Sequence, residues 1–94
     1  MSLTPEGFVV KQIREWLKGE GYITLNLITV SPSGYPDMIV INPVNGEHTY
    51  LEIKAPDGRV SEIQKHRIDT LRSANVKVYV VFNIERVKEI FKNV

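Results

Sequence analysis

Two short runs of the chain, Asp37 to Asn42 and Thr49 to Lys54, are apolar at nearly every position and are joined around Asn45-Gly46. They lack the strict apolar-polar alternation of a strand with one wet face, so they read as strands of a sheet covered on both sides. Asn-Gly between β-type residues is a strong hairpin signal, because both residues accept the positive φ of a tight turn. A third run of the same character, Val76 to Phe82, supplies another buried strand. The chain is therefore expected to fold around a sheet whose central members form a hairpin.

Helix signals surround these strands. Thr4 is a good N-cap with Pro5 at the first helical position, and Val9, Ile13, Trp16 and Leu17 recur at helical spacing. Gly19 and Gly21 end that helix. Ile23 to Val30 is rich in β-branched residues and predicts a strand, which Ser31-Pro32-Ser33-Gly34 interrupts. Ala55-Pro56-Asp57-Gly58 predicts a turn, and Ser61 caps a helix running to about Ser73. Asn83 caps a last helix with Ile84, Val87, Ile90 and Phe91 inward. The order is α-β-β-β-α-β-α, an α/β sandwich with a mixed central sheet flanked by helices. Without repeat, linker or low-complexity tract, residues 1–94 are expected to form a single domain.

A chain of 94 residues buries only about 60–65% of its unfolded surface, so covering a face with a second copy would add useful core. That makes a homodimer an expectation. The absence of cysteine excludes disulfides and thiolate zinc sites and fits a reducing, cytoplasmic setting. No run approaches the roughly 18–20 apolar residues of a membrane span, and nothing at the N-terminus resembles a secretion signal. Met1-Ser2-Leu3 has the look of an expression leader.

Chemistry is concentrated at Gly34-Tyr35-Pro36-Asp37 and, fifteen residues beyond that aspartate, Glu52-Ile53-Lys54. A two-residue turn at Asn45-Gly46 would place Asp37 opposite Lys54 and Ile39 opposite Glu52. Opposed residues share a face and side chains alternate with period two, so Asp37, Glu52 and Lys54 would project together. A one-residue slip would send one of them to the wrong face. Two carboxylates beside a lysine can hold a hard divalent cation next to a water molecule; such a cation takes oxygen ligands and is often shared with substrate phosphates. This is equipment for phosphodiester hydrolysis.

Two helical residues are expected to join them. Glu6 precedes Val9 by three and Ile13 by seven, and Gln64 precedes Ile68 by four and Leu71 by seven, so both fall on inward stripes. Buried polar groups need partners, and a metal site would supply them. Blander roles exist for each. Glu6 suits a helix N-terminus electrostatically, Gln64 suits a boundary position, Asp37 a turn, and Glu52 with Lys54 a surface ion pair. The joint spacing on strands too apolar to be edges favours the site. His48 and His66 fall outside this pattern. The formal net charge is +1, and setting Glu6, Asp37 and Glu52 aside leaves a more basic surface. Lys11, Arg14 and Lys18 form one basic cluster; Lys65, His66, Arg67 and Arg72 form another. Solvated helix faces account for such clusters equally well.

At these residues the chain resembles the virus-type replication-repair nuclease (VRR-NUC) domain, a restriction-endonuclease-like branch of the PD-(D/E)XK superfamily. The likeness rests on Glu6, Gly34-Tyr35-Pro36-Asp37, Glu52-Ile53-Lys54-Ala55-Pro56 and Ser61-Glu62-Ile63-Gln64. Asn75-Val76 departs from the glycine often found after the second helix. The resemblance implies that Asp37, Glu52 and the Ile53 backbone carbonyl bind Mg²⁺ or Mn²⁺, with Glu6 completing the cluster directly or through water. Lys54 would orient or help deprotonate the attacking water, and Gln64 would brace the lysine or that water. It implies a metal-dependent, structure-selective endodeoxyribonuclease acting on branched DNA as a Holliday-junction resolvase-like homodimer, phage-encoded or bacterial. Lys11, Lys65, Arg67 and Arg72 are the DNA-binding candidates. A restriction- or defence-type duplex nuclease shares the same residues, and a non-catalytic DNA-binding module or a subunit needing a larger partner are the other readings.

Overall fold

Helix α1 (Pro5–Gly19) is followed by strands β1 (Ile23–Asn26), β2 (Met38–Ile41) and β3 (His48–Ile53). Helix α2 (Glu62–Ser73), strand β4 (Lys77–Val81) and helix α3 (Ile84–Phe91) complete the expected order. The computed structural model describes residues 4–27 and 34–91. The expected continuation of β1 to Val30, the Ser31-Pro32-Ser33 break and Met1-Ser2-Leu3 lie outside the described residues.

The helix ends follow local chemistry. Thr4 Oγ1 accepts from the Gly7 N–H at 3.0 Å and Asn83 Oδ1 from the Arg86 N–H at 3.0 Å, each satisfying a donor that the helix itself cannot. Beyond α2, Asn75 stands at φ 65, the left-handed position that glycine usually fills after a helix. Asparagine tolerates that conformation, which accounts for the missing glycine there.

The sheet runs β1-β2-β3-β4, antiparallel across its first two joints and parallel between β3 and β4, with α2 as the crossover. On one face α1 and α3 bring Val9, Ile13, Leu17, Val87 and Phe91 onto Met38, Val40, Leu51, Ile53 and Val81. This is the core. On the other face α2 packs against β4. Leu51, Glu52 and Ile53 are buried in succession, as expected of a strand covered on both sides. The expectation fails for β2, which alternates buried with half-buried residues; in β1, Ile23 and Leu25 are 47% and 48% exposed. One helix is too narrow to cover four strands. β4 is an edge strand, and the Arg72 guanidinium donates to its Val78 carbonyl from Nε (3.3 Å) and Nη2 (2.8 Å).

The hairpin register differs from the two-residue-turn expectation. Met38 pairs with Leu51 and Ile41 with His48, and the Asn42 N–H donates to the Glu47 carbonyl. The chain reverses through Pro43-Val44-Asn45-Gly46 because Asn42 Oδ1 accepts from the Val44 N–H at 2.8 Å and nucleates the turn earlier. Gly46 keeps its positive φ of 73. The pairing thus moves by two positions, which preserves every side chain's face. Extended by one residue, it sets Asp37 opposite Glu52 instead of Lys54.

A one-sided core predicts unequal costs for truncation. Ile13→Ala should lose about 2–5 kcal/mol, whereas Leu25→Ala should lose less than about 1 kcal/mol, both measured by urea unfolding.

Candidate active site

Asp37 immediately precedes β2, at a bend clamped from both sides. Its N–H donates to the Leu51 carbonyl at 3.0 Å on β3, while its carbonyl accepts from the Leu27 N–H at 2.7 Å. Its side chain reaches along the same gap, where Oδ2 accepts from the Ile53 N–H at 2.8 Å. One carboxylate oxygen is therefore anchored to the central strand. Main-chain directions alternate along β3, so the Ile53 carbonyl turns towards this same side.

Glu52 is 1% exposed and points away from the apolar core, towards α2. Its Oε1 accepts from Gln64 Nε2 at 2.8 Å and lies 3.6 Å from Lys54 Nζ. Its Oε2 is buried without a hydrogen-bond partner. Burial of a carboxylate without full compensation is costly. Glu52 responds by holding its proton: burial first, then the charge of Asp37, push its pKa from 4.5 up to about 7, against the lowering influence of Lys54. Asp37 is raised as well, chiefly by burial, with the Ile53 N–H, Lys54 and a side-chain interaction with the Glu52 carboxyl opposing.

Gln64 has its orientation set by the helix cap. Its Oε1 accepts from the Ser61 N–H at 2.9 Å while the Ser61 hydroxyl accepts from the Gln64 N–H at 3.2 Å, a reciprocal capping box. With the carbonyl end committed, the amide NH₂ must face Glu52. Gln64 therefore braces the second carboxylate, where the expectation had it bracing the lysine or the water. Ser61 belongs to the site through this box, and Ser-x-x-Gln was its legible signal.

Glu6 is exposed in the first turn of α1. It shares the helix face of Val9 and Ile13, but burial begins only at Val9. Its charge still reaches Glu52, adding to that residue's raised pKa. Among the described residues, no three of His, Cys, Asp and Glu converge as a metal-holding group, so the site is a pair of carboxylates. A hard divalent cation fits such a pair: oxygen donors only, one of them buried and unpartnered, with few protein ligands and the remainder left for water or phosphate.

The basic candidates disperse. Lys11 is exposed on α1; Lys65 pairs with Glu62 at 3.2 Å; Arg67 lies over the Tyr35 ring at 5.2 Å; Arg72 is held by Val78. His48 contacts the Gly46 carbonyl through Nδ1 at 2.7 Å, within its own hairpin.

The VRR-NUC domain family matches residues 11–82, a span that includes Asp37, Glu52, Lys54 and Gln64 and leaves Glu6 outside. The chain belongs to the VRR-NUC family. A solved VRR-NUC domain aligns with it at a TM-score of 0.85 and 26% identity, over 97% of this chain and 98% of that one. No curated protein matches. Membership makes this a nuclease-family domain with nucleic acid as its substrate class. No helix among the described residues is long and apolar enough to cross a membrane.

The raised Glu52 pKa has a stability consequence. In metal-free protein the folded state retains a proton that the unfolded chain loses above about pH 4.5, so this group's contribution is complete below that pH. It is lost as pH rises through 7. The loss between pH 5 and 8 should amount to about 2.5 kcal/mol. Urea unfolding in chelator across that range should show it, and Glu52→Gln should flatten the slope.

Proposed function

We propose that this VRR-NUC domain is a metal-dependent, structure-selective endodeoxyribonuclease that cuts branched DNA as a homodimer, in the manner of a Holliday-junction resolvase. The observation that carries the reading is Glu52 Oε2, a buried carboxylate oxygen without a partner, beside Asp37 and within reach of Lys54. Such an atom is costly in a purely structural role. A cytoplasmic, bacterial or phage-encoded setting goes with this function.

Mg²⁺ or Mn²⁺ would be held by Asp37 and Glu52, with the Ile53 carbonyl on the same side; when bound it lowers the pKa of water and offsets phosphate charge. The protein's own part is positional. Asp37 Oδ2 is tied to the Ile53 N–H and Glu52 Oε1 to Gln64, so each carboxylate presents its remaining oxygen from a restrained side chain. Lys54 Nζ, 13% exposed at its side chain, is placed to orient the attacking water or to balance charge developing on the phosphate. Glu6 acts at longer range, through water or through the field it adds.

DNA would be held mainly through phosphates, with branch geometry selecting the substrate. Lys11, Lys65 and Arg67 are the contacts assigned to that role, and Arg72 the weakest because its guanidinium is already engaged. A second copy would present two sites to two strands by symmetry. Ile23 and Leu25, left in water on the face that carries Asp37 and Glu52, support a pairing surface there.

Asp37→Ala should abolish cleavage of a four-way junction, by at least about 100-fold in kcat, while DNA binding in a gel-shift assay persists. Surviving cleavage would remove the mechanism. On a panel of four-way, flap, splayed-arm and linear substrates, the branched ones should be cut fastest; preference for linear duplex would favour the restriction-type alternative. Saturating Mn²⁺ at about 100 times its Kd should add about 2.7 kcal/mol and raise Tm by roughly 10–20 °C. Differential scanning fluorimetry would read that shift.

A further inference from the structure

Gly34 lies at φ +92, where any side chain is strained. It also touches α2 more closely than a side chain allows. A Cβ at this position would stand 2.9 Å from Ile63 Cγ1, 3.2 Å from Arg67 Cγ and 3.3 Å from the Ile63 carbonyl carbon. The last atom is backbone and cannot yield without moving the helix. At Gly19, Gly21 and Gly46 the same test meets nothing within 4 Å, and at Gly58 it meets only the adjoining Ala55 backbone and Lys54 Cβ at 3.1–3.3 Å, so among these five glycines close approach to a helix is particular to Gly34.

The atoms concerned flank Gln64 on the first turns of α2. Ile63 immediately precedes it, and Arg67 follows one turn later with its guanidinium over the ring of Tyr35, the residue after Gly34. Three residues beyond Gly34, Asp37 is anchored to the Ile53 N–H. The segment from Gly34 to Asp37 is thus a short strap, fixed to α2 at one end and to β3 at the other. Its thickness at Gly34 sets how near the start of α2 approaches the sheet. The 2.8 Å bond from Gln64 Nε2 to Glu52 Oε1 spans that gap.

We propose that Gly34 is a positioning residue for the carboxylate pair: by carrying no side chain it seats the first turn of α2 against the strap and so keeps Gln64 on Glu52. Because the bond engages Oε1, it leaves Oε2 as the free oxygen. This rests on the metal-site reading above, although the coupling of Gly34 to Gln64 exists in the metal-free protein and is measurable there.

The experiment compares wild type, Gly34→Ala, Gln64→Ala and the double variant. In metal-free protein, the Gln64 side-chain amide resonances should sit away from free-glutamine values and exchange slowly in wild type, and revert in Gly34→Ala. In calorimetric titrations with Mn²⁺ alone, Gly34→Ala should weaken binding roughly 10-fold, the usual scale for losing a partner of a ligand. The double variant should be no weaker than Gln64→Ala alone, since the two act through one bond. For junction cleavage, kcat should fall with KM unchanged. If Gly34→Ala does not fold, Gly34→Ala/Ile63→Ala removes the 2.9 Å contact but keeps those to Arg67 Cγ and the Ile63 backbone, so the same shifts should appear in the same direction at smaller size, Ile63 being 44% exposed. Unchanged Gln64 resonances, or additive losses of Mn²⁺ affinity, would overturn the inference. Wild type that fails to bind Mn²⁺ but shows the expected Gln64 shift would instead defeat the metal reading and leave the positioning role standing.

Discussion

A carboxylate sealed almost entirely from water organises this domain. Glu52 occupies the middle strand pair of the sheet, where an apolar residue would be more stable, and only one of its two oxygens is satisfied. Desolvation and the neighbouring Asp37 together drive it towards the neutral form. A fold tolerates such a group when the remainder of the core is sound, and here α1 and α3 complete a dense apolar layer on the opposite face. The strain is confined to the face that bears α2. Stability is given up at one point, and a buried, strongly perturbed carboxyl of this kind is what makes the position a candidate site.

The surrounding parts serve to orient that acid and its neighbour. Each carboxylate is tethered by one oxygen to the scaffold: Asp37 to the main chain of β3, Glu52 to an amide whose own orientation is dictated by a helix cap. These tethers come from three elements, so the pair is specified by the sheet joint and by the seating of α2 together. Loss of either would leave both residues present and the site loose, which is how positional chemistry usually fails.

Cations follow a different logic. Lys54 alone is drawn into the site, beside Glu52 and just past the end of β3. Arg72, which composition alone would assign to nucleic acid, is consumed in pairing the Val78 carbonyl of edge strand β4, a common device for guarding a sheet edge. Arg67 is shared between α2 and Tyr35. Basic residues near a site in sequence are thus divided between binding and scaffolding by where their helix happens to lie.

Much of this was legible from residue order. Apolar runs, capping residues and Asn45-Gly46 sufficed for the element order, the interior position of β2 and β3, and the common face of Asp37, Glu52 and Lys54, because strand periodicity is a local property that survives a shift of two residues. Three things were not legible. The Asn42 side chain displaced the turn and made Glu52 the partner of Asp37. The exposure of Glu6 depended on where the sheet ends beneath α1. The pairing of Gln64 with Glu52 depended on how deeply α2 sits. Sequence by itself determined which residues are available and which side of the sheet they occupy, since alternation and helical period act within a few neighbours. Tertiary structure alone decided which oxygen meets which donor, because those distances are set by elements far apart in the chain packing against one another.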